Sequence, residues 1–209
     1  MKIIESIITE DEVAIFKNYW KNNADKRYVN WTDGDQLIDT RCSLSSDTLE
    51  FQIIKSIVAK DFSDTVDIWC AYQQQSFAHN IHIDDYGIEE NYSTYTYVIS
   101  LDTVPEFKTI VWKETAASNA KLHEYIANWG QHRTEKISDI SQTEDLEHTY
   151  DENQNDYMCD YLTLDGIYTY KEGSGCLFDA RQFHCTSNWP KYKKFKNREL
   201  LQIHVTVPT

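Results

Sequence analysis

Two histidines and one aspartate have the residue types and the spacing of a metal site. His82 and Asp84 are separated by one residue, and His184 follows much later in the chain. Residues two apart in a strand point to the same side, so His82 and Asp84 at a strand end can face one cation. Two imidazoles and one carboxylate leave coordination positions open, which suits non-haem iron(II) that must bind a cosubstrate and dioxygen together. We therefore predict that His82, Asp84 and His184 are the metal ligands and the catalytic centre.

Each of these residues also has an ordinary interpretation. His-x-Asp occurs by chance in many proteins, and a single histidine is more commonly a surface residue or a hydrogen-bonded core residue. His79 is a rival ligand because it lies three positions before His82, but only His82 has Asp84 on the same face. The interpretation as a metal site therefore depends on the sequence around these residues.

The sequence around His184 indicates a β-strand that leads to a possible anion site. The apolar run Gly175–Phe183 ends at His184, and Arg198 begins the last predicted strand. An arginine at the base of a β-barrel can form a bidentate pair with a carboxylate. Alternation places Leu200, Gln202 and His204 on the same face of that strand as Arg198.

Two helices are predicted before the strands. Thr9 and Glu12 match a capping box, in which each side chain bonds to the other residue's backbone N–H. The helix that they open has Val13, Phe16 and Trp20 on one face. A second helix is predicted from Thr48 to Ala59, and together these helices form the N-terminal part, residues 1–65.

From residue 66 onward the pattern changes to short strands. The predicted strands are 67–74, 95–101, 109–112, 157–164, 167–170, 175–179 and 200–207. A helix is predicted over 116–129, and the acidic segment 139–156 is predicted to be a surface loop or a lid. Helices followed by many strands predict an α+β, mainly β fold, with a β core over 66–207 and an insertion at 113–156.

Composition limits the classes of partner. The chain has 209 residues, no repeat and no Pro/Gly-rich linker, so a single domain is predicted. A net charge of −14 repels phosphate backbones and anionic membranes, which makes nucleic acid and membranes poor partners. Five scattered cysteines without a CxxC pair argue against a disulfide framework or a zinc ribbon. The sequence has no apparent signal peptide or bilayer-length apolar run, so a cytoplasmic location is expected.

The order of these motifs resembles the 2-oxoglutarate/Fe(II)-dependent dioxygenase superfamily, especially its prolyl-hydroxylase-like and phytanoyl-CoA-hydroxylase-like branches. The resemblance covers about 67–207, with the insertion unmatched. It rests on an aromatic strand that ends at Tyr72, the His82-Ile83-Asp84 motif, and a strand that ends at Leu101-Asp102. A glycine-led strand then runs to His184, and Arg198 lies beyond it.

The resemblance implies a double-stranded β-helix, also called a jelly roll, with a cupin-like core and flanking N-terminal helices. It implies Fe(II), 2-oxoglutarate as cosubstrate and O2, with hydroxylation of a C–H bond and release of succinate and CO2. Arg198 would anchor the far carboxylate of 2-oxoglutarate, and Tyr72 and Gln202 would contact the cosubstrate. Core packing is an equally good interpretation of Tyr72.

Several alternatives stay open. The family commonly has serine or threonine two positions after the arginine, where this chain has Leu200. Asp84 argues against the halogenating relatives, which have a small residue there. The rival function is a non-catalytic, cupin-like protein that binds a metal or a small ligand. For an oxygenase, the sequence leaves a peptide, a free amino acid or a small metabolite as substrate, and it does not predict the oligomeric state.

Overall fold

The computed structural model of the chain describes residues 1–33, 36–63, 66–76, 82–84, 91–115, 162–187 and 197–209. Within them, the elements in chain order are β1 (Lys2–Ile4), α1 (Glu10–Asn22), a 3₁₀ turn (Ala24–Lys26), β2 (Tyr28–Asp33), β3 (Gln36–Ser43), α2 (Leu49–Val58), β4 (Asp67–Gln75), β5 (Tyr92–Ser100), β6 (Lys108–Thr115), β7 (Leu164–Thr169), β8 (Gly175–Asp179), β9 (Gln182–Thr186) and β10 (Arg198–Pro208). No helix among the described residues is long and apolar enough to cross a membrane.

Both helices begin at a threonine cap. Thr9 accepts a hydrogen bond from the backbone N–H of Glu12, and the Glu12 carboxylate accepts one from the Thr9 N–H. Thr48 caps α2 in the same way by accepting from the N–H of Phe51. The predicted capping box is thus present, and these bonds satisfy N–H groups that a helix start leaves without intrahelical partners.

Most of the strands form one antiparallel seven-stranded sheet. Its order is β1-β8-β5-β10-β4-β3-β2, so β10 lies at the centre between β4 and β5. A Cβ at Gly175 would come within 2.8 Å of the Val98 carbonyl oxygen, so a residue without a side chain allows β8 to approach β5 here. The sheet joins strands far apart in sequence, which places the two ends of the β region side by side.

A second, three-stranded sheet has the order β7-β6-β9 and is also antiparallel. It faces the larger sheet across an apolar layer. Val98, Phe178 and Leu200 of the larger sheet share one buried cluster with Val111 and Tyr168 of the smaller sheet. The fold is therefore mainly β, with two sheets packed around a common interior.

The other face of the seven-stranded sheet is covered by the helices. Phe16 and Trp20 of α1 and Ile54 of α2 lie in one buried cluster with Tyr72 and Leu201 of the sheet. Burial of such large apolar side chains contributes about 1.5–3 kcal/mol each. Because alternate residues of a strand face opposite sides, neighbours of Tyr72 and Leu201 point toward the smaller sheet.

The structure differs from the sequence predictions in two regions. The N-terminal part, predicted to be helical, also contains the β2–β3 pair, which extends the large sheet at one edge. The apolar run 175–183 is two strands, because the chain turns at Ala180-Arg181 and crosses from one sheet to the other. Of the predicted insertion 113–156, only 113–115 are described, as the end of β6, and the helix predicted over 116–129 lies outside the described residues.

Candidate metal centre

Backbone pairing brings the predicted ligands together. His82 forms an antiparallel bridge with His184 on β9, with two N–H···O bonds of 2.9 Å between their backbones. The Asp84 N–H donates to the carbonyl of Ala180, in the turn between β8 and β9, at 3.0 Å. Asp84 lies in a bend rather than in a strand, so this bond, and not the strand alternation expected from the sequence, fixes its position relative to His82.

The three side chains converge. One donor atom from each of His82, Asp84 and His184 lies within 4.8 Å of the other two. His184 Nε2 is 3.4 Å from Asp84 Oδ2, and His82 Nε2 is 3.7 Å from Asp84 Oδ1. Two imidazole nitrogens and a carboxylate oxygen at this spacing form a donor set that can hold a transition metal.

The charges of the centre favour an ionised aspartate. Burial alone raises the pKa of Asp84, but His184, His204 and His82 outweigh it, and the pKa lies well below its ordinary value. Burial alone lowers the pKa of His184, but the Asp84 charge and its hydrogen bond outweigh it, so the net direction is upward. The negative carboxylate is thus held by the groups around it, as a metal ligand requires.

Two of the three candidate ligands, His184 and Asp84, have hydrogen-bonded neighbours. His184 Nδ1 lies 2.9 Å from the carbonyl oxygen of Gln182, which orients the ring so that Nε2 faces Asp84. Thr96 Oγ1 donates to Asp84 Oδ2 at 2.9 Å. The ring of Phe178 lies 4.8 Å from the His184 ring, centroid to centroid. Two side chains of the larger sheet and one backbone carbonyl of the smaller sheet therefore lie beside the donor set.

Arg198 is buried at the start of β10, on the face directed to the smaller sheet. Its Nε donates to Gln75 Oε1, and Nη1 donates to the Tyr170 hydroxyl at 2.9 Å. That hydroxyl lies 3.1 Å from Thr109 Oγ1. Burial lowers the pKa of Arg198, which the nearby Tyr170 and Asp39 partly offset. A guanidinium bonded to neutral groups in a buried site can attract an anion.

A second set of polar groups lies beside this arginine, on β3 and β4. Asp39 pairs with Gln75 in the strand register, and Gln75 pairs with Arg198. The Asp39 carboxylate, 0% exposed, accepts from Gln73 Nε2 and from Arg41 Nε, each at 3.0 Å. β3 therefore contributes a partly buried ion pair, Asp39 with Arg41, next to Arg198.

Two further predicted residues have different surroundings. Gln202 lies on the Arg198 face, and its buried Oε1 has no hydrogen-bond partner in the described part of the chain. Tyr72 lies on the opposite, helix-covered face, where it stacks on Trp20 at 4.7 Å and donates to Glu199 at 2.7 Å. Strand alternation directs Tyr72 away from Arg198, and core packing, the other interpretation of this residue, describes its position.

Sequence reasoning missed the partners of Arg198. Gln75 lies on β4, Asp39 lies on β3 and Tyr170 directly follows β7, and no local spacing links them. The pairing of β10 with β4, the pairing of β4 with β3 and the packing of the two sheets were the missing information. The rival ligand His79 lies outside the described residues.

No protein-family model matches this chain, and no curated protein matches it in sequence. Solved structures do match. The non-heme α-ketoglutarate-dependent carbocyclase SnoK, from nogalamycin biosynthesis, has a TM-score of 0.63 at 12% identity, over 98% of this chain and 78% of its own. The non-heme α-ketoglutarate-dependent epimerase SnoN, from the same biosynthesis, has a TM-score of 0.62 at 9% identity, over 99% of this chain and 76% of its own.

A third match is HygX from Streptomyces hygroscopicus, solved with nickel and 2-oxoglutarate bound. Its TM-score is 0.56 at 13% identity, over 99% of this chain and 82% of its own. At such identities a structural likeness establishes the fold. This chain thus has the fold of a group of proteins that includes the α-ketoglutarate-dependent, non-heme enzymes SnoK and SnoN.

Proposed function

We propose that this chain is an Fe(II)- and 2-oxoglutarate-dependent oxygenase that hydroxylates a C–H bond of a small-molecule or amino-acid substrate. The observation that carries the proposal is the convergence of His82, Asp84 and His184, with donor atoms within 4.8 Å of one another. These three residues are the proposed metal ligands. The fold shared with SnoK, SnoN and HygX supports the same conclusion.

The donor set fits iron(II) chemically. Imidazole nitrogen suits iron, and one carboxylate adds a hard, negatively charged ligand without filling the coordination sphere. Asp84 is kept ionised, and the Gln182 carbonyl orients His184 toward it. When bound, iron(II) with 2-oxoglutarate and O2 would supply the oxidation of the substrate, with succinate and CO2 as products.

Arg198 fits the distal carboxylate of 2-oxoglutarate. It is a buried cation, and its Nε and Nη1 donate to the neutral groups of Gln75 and Tyr170. The neighbouring Asp39 forms an ion pair with Arg41, and its charge also acts on Arg198. We propose Arg198 as the cosubstrate anchor, with the hydroxyl of Tyr170 and the amide of Gln202 as further polar contacts.

The strand order favours a jelly roll. Successive strands from β4 onward contribute to two facing sheets, with β4, β5, β8 and β10 in one and β6, β7 and β9 in the other. His82 pairs with His184 of β9, which puts His82 on the side of the smaller sheet. We infer a double-stranded β-helix of the prolyl-hydroxylase-like or phytanoyl-CoA-hydroxylase-like kind, with the metal ligands and Arg198 directed into its interior.

The chain's own residues would bind the metal, orient the cosubstrate and exclude water from the site. Thr96 and Gln182 hold two of the ligands in place, and Phe178 covers one side of the His184 ring. Arg198 would align the cosubstrate relative to the ligands from the opposite sheet. The apolar layer of Val98, Val111 and Leu200 lowers the local dielectric, which strengthens the ionic contacts in the interior.

Small molecules are the favoured substrate class. SnoN has been solved with Fe³⁺, α-ketoglutarate and nogalamycin RO, and its fold matches this chain with a TM-score of 0.58. The net charge of −14 weakens the case for nucleic acid. We therefore place free amino acids and small metabolites ahead of peptides.

Anaerobic spectroscopy tests the proposal directly. Iron(II) and 2-oxoglutarate together should give the unaltered protein a weak visible charge-transfer band, and the variants His82→Ala and His184→Ala should lack it. In air, the unaltered protein should form succinate in a screen of free amino acids, metabolites and short peptides, and both variants should form none. Wild-type turnover in either alanine variant would show that the metal ligands are misassigned.

The rival function is a non-catalytic, cupin-like protein that binds a metal or a small ligand. Such a protein would bind the metal through the same residues but would show neither the band nor succinate. The buried guanidinium of Arg198 favours the oxygenase, because a protein that only holds a metal needs no anchor for a carboxylate.

A further inference from the structure

We propose that Thr96 is a positioning residue whose hydroxyl fixes the rotation of the Asp84 carboxylate, and that His204 sets the direction of that hydroxyl. The inference rests on the proposed function, because it assumes that Asp84 is a metal ligand. It assigns a role to two residues of the larger sheet that would touch neither the metal nor the cosubstrate.

The side chains of His204, Thr96 and Asp84 form a short chain of hydrogen bonds, called the relay below. Thr96 is 0% exposed on β5, and its Oγ1 donates to Asp84 Oδ2 at 2.9 Å. The same oxygen lies 3.2 Å from His204 Nδ1 on β10. The carboxylate group of an aspartate rotates easily about χ2, because that torsion has only broad preferences. The hydrogen bond from Thr96 therefore selects one rotation, with Oδ1 nearer His82 and Oδ2 nearer His184.

A proton count assigns the role of His204. A threonine hydroxyl has one hydrogen, and an ionised Asp84 can only accept, so that hydrogen belongs to the Thr96–Asp84 bond. Thr96 Oγ1 must then accept from His204, which requires a hydrogen on Nδ1. If Nδ1 lacked the hydrogen, the Thr96 hydroxyl could turn to His204 and Asp84 would lose its donor. His204 thus keeps the hydroxyl directed at the ligand.

The backbone holds this relay rigidly. Thr96 pairs in register with His204 on one side and with Phe178 on the other, so β5 is fixed by ladders at this position. The ring of Phe178 contacts His184, and the ring of Trp69 lies 5.1 Å from that of His204. A row of side chains on four neighbouring strands therefore connects Asp84 to the centre of the seven-stranded sheet. The row consists of Phe178, Thr96, His204 and Trp69.

Cobalt(II) binding tests the role of the hydroxyl. Thr96→Val keeps the shape of the side chain and removes the donor, so we expect the affinity for cobalt(II), measured by visible absorption, to fall about 10- to 100-fold. Thr96→Ser should restore the affinity to within about threefold. Thr94→Val is the matched control, because it makes the same change on the same face of β5, and it should leave the affinity unchanged.

A double-mutant cycle tests the role of His204. His204→Phe should weaken cobalt(II) binding, and the combination with Thr96→Val should bind no more weakly than Thr96→Val alone, because both act through one hydrogen bond. Thermal unfolding without metal should be similar for Thr96→Val and Thr94→Val, which separates positioning from a general loss of stability.

The outcomes are decisive. Cobalt(II) affinity that is unchanged in Thr96→Val, or that Thr96→Ser fails to restore, would overturn the role of the hydroxyl. Additive losses in the double variant would overturn the role of His204. Failure of the proposed function looks different: the unaltered protein would bind no cobalt(II), or His82→Ala would bind it as well as the unaltered protein does.

Discussion

At the scale of single residues, Arg198 constrains the chemistry of the interior more than any other charged group described. A guanidinium keeps its charge in a protein, so burial has to be offset by partners rather than by loss of the proton. The hydrogen bonds that hold its Nε and Nη1 in place end on Gln75 and Tyr170, which are neutral. Arg198 thus brings a positive charge, fixed in direction, into a space that faces the smaller sheet.

Arg198→Lys tests whether that direction matters. Lysine keeps the charge but lacks the planar guanidinium group. We therefore expect the KM for 2-oxoglutarate to rise about 10- to 100-fold, as for the loss of a charged hydrogen bond. Succinate formation at varied 2-oxoglutarate concentration measures it. Tyr72→Phe is the control: its hydroxyl bonds to Glu199 on the helix-covered face, so the KM should stay unchanged. An equal rise in Tyr72→Phe would return Tyr72 to the cosubstrate site.

At the scale of elements, local patterns predicted the strands and helices better than they predicted which of them meet. The capping box of Thr9 and Glu12 and the strand at 175–179 depend on neighbouring residues, and both are present. The side of the sheet on which Tyr72 lies and the position of Asp39 beside Gln75 both depend on how β4 pairs with β3. Register is a property of two strands at once, so one strand's sequence could not supply it.

Asp61 shows how such pairing connects three elements. It follows α2, and its carboxylate accepts from Lys2 of β1 and from the Tyr97 hydroxyl of β5, the latter at 2.8 Å. Burial works to raise the pKa of Asp61, but these hydrogen bonds and the lysine charges outweigh it, so the pKa lies below its ordinary value. A carboxyl with a lowered pKa in the folded state stabilises the fold above its unfolded pKa, and that contribution is lost as the pH falls through the folded value.

Asp61→Asn should therefore destabilise the protein by about 1 kcal/mol at neutral pH and by progressively less below about pH 4. Urea unfolding of both proteins between pH 7 and pH 3 measures the difference. Lys2→Met should give a loss with the same pH dependence, and the double variant should lose little more than either single one. A difference that stays constant across this range would mean that the charge of Asp61 does not contribute.

At the scale of the whole molecule, the proposed site is divided between the two sheets. His184 lies on β9 of the smaller sheet, and Arg198 and Thr96 lie on the larger one. The sheets are also connected by the apolar layer that includes Val98 and Val111, and by the hydrogen bond from Arg198 to Tyr170. A metal with 2-oxoglutarate bound to it would add a polar connection from the ligands to Arg198.

This division predicts how ligands change the thermal stability. Nickel(II), which is redox-inert here, should raise the Tm by stabilising the fold by about 2.7 kcal/mol at 100 times its Kd. For a chain of this size that is roughly 5–11 °C. 2-Oxoglutarate should add a further rise only when nickel is present, because the metal and Arg198 would hold opposite ends of it.

His82→Ala should lose both increments, whereas Arg198→Lys should keep the first and lose most of the second. Retention of both increments in His82→Ala would place the nickel elsewhere in the protein, and a full 2-oxoglutarate increment in Arg198→Lys would remove the proposed connection between the sheets.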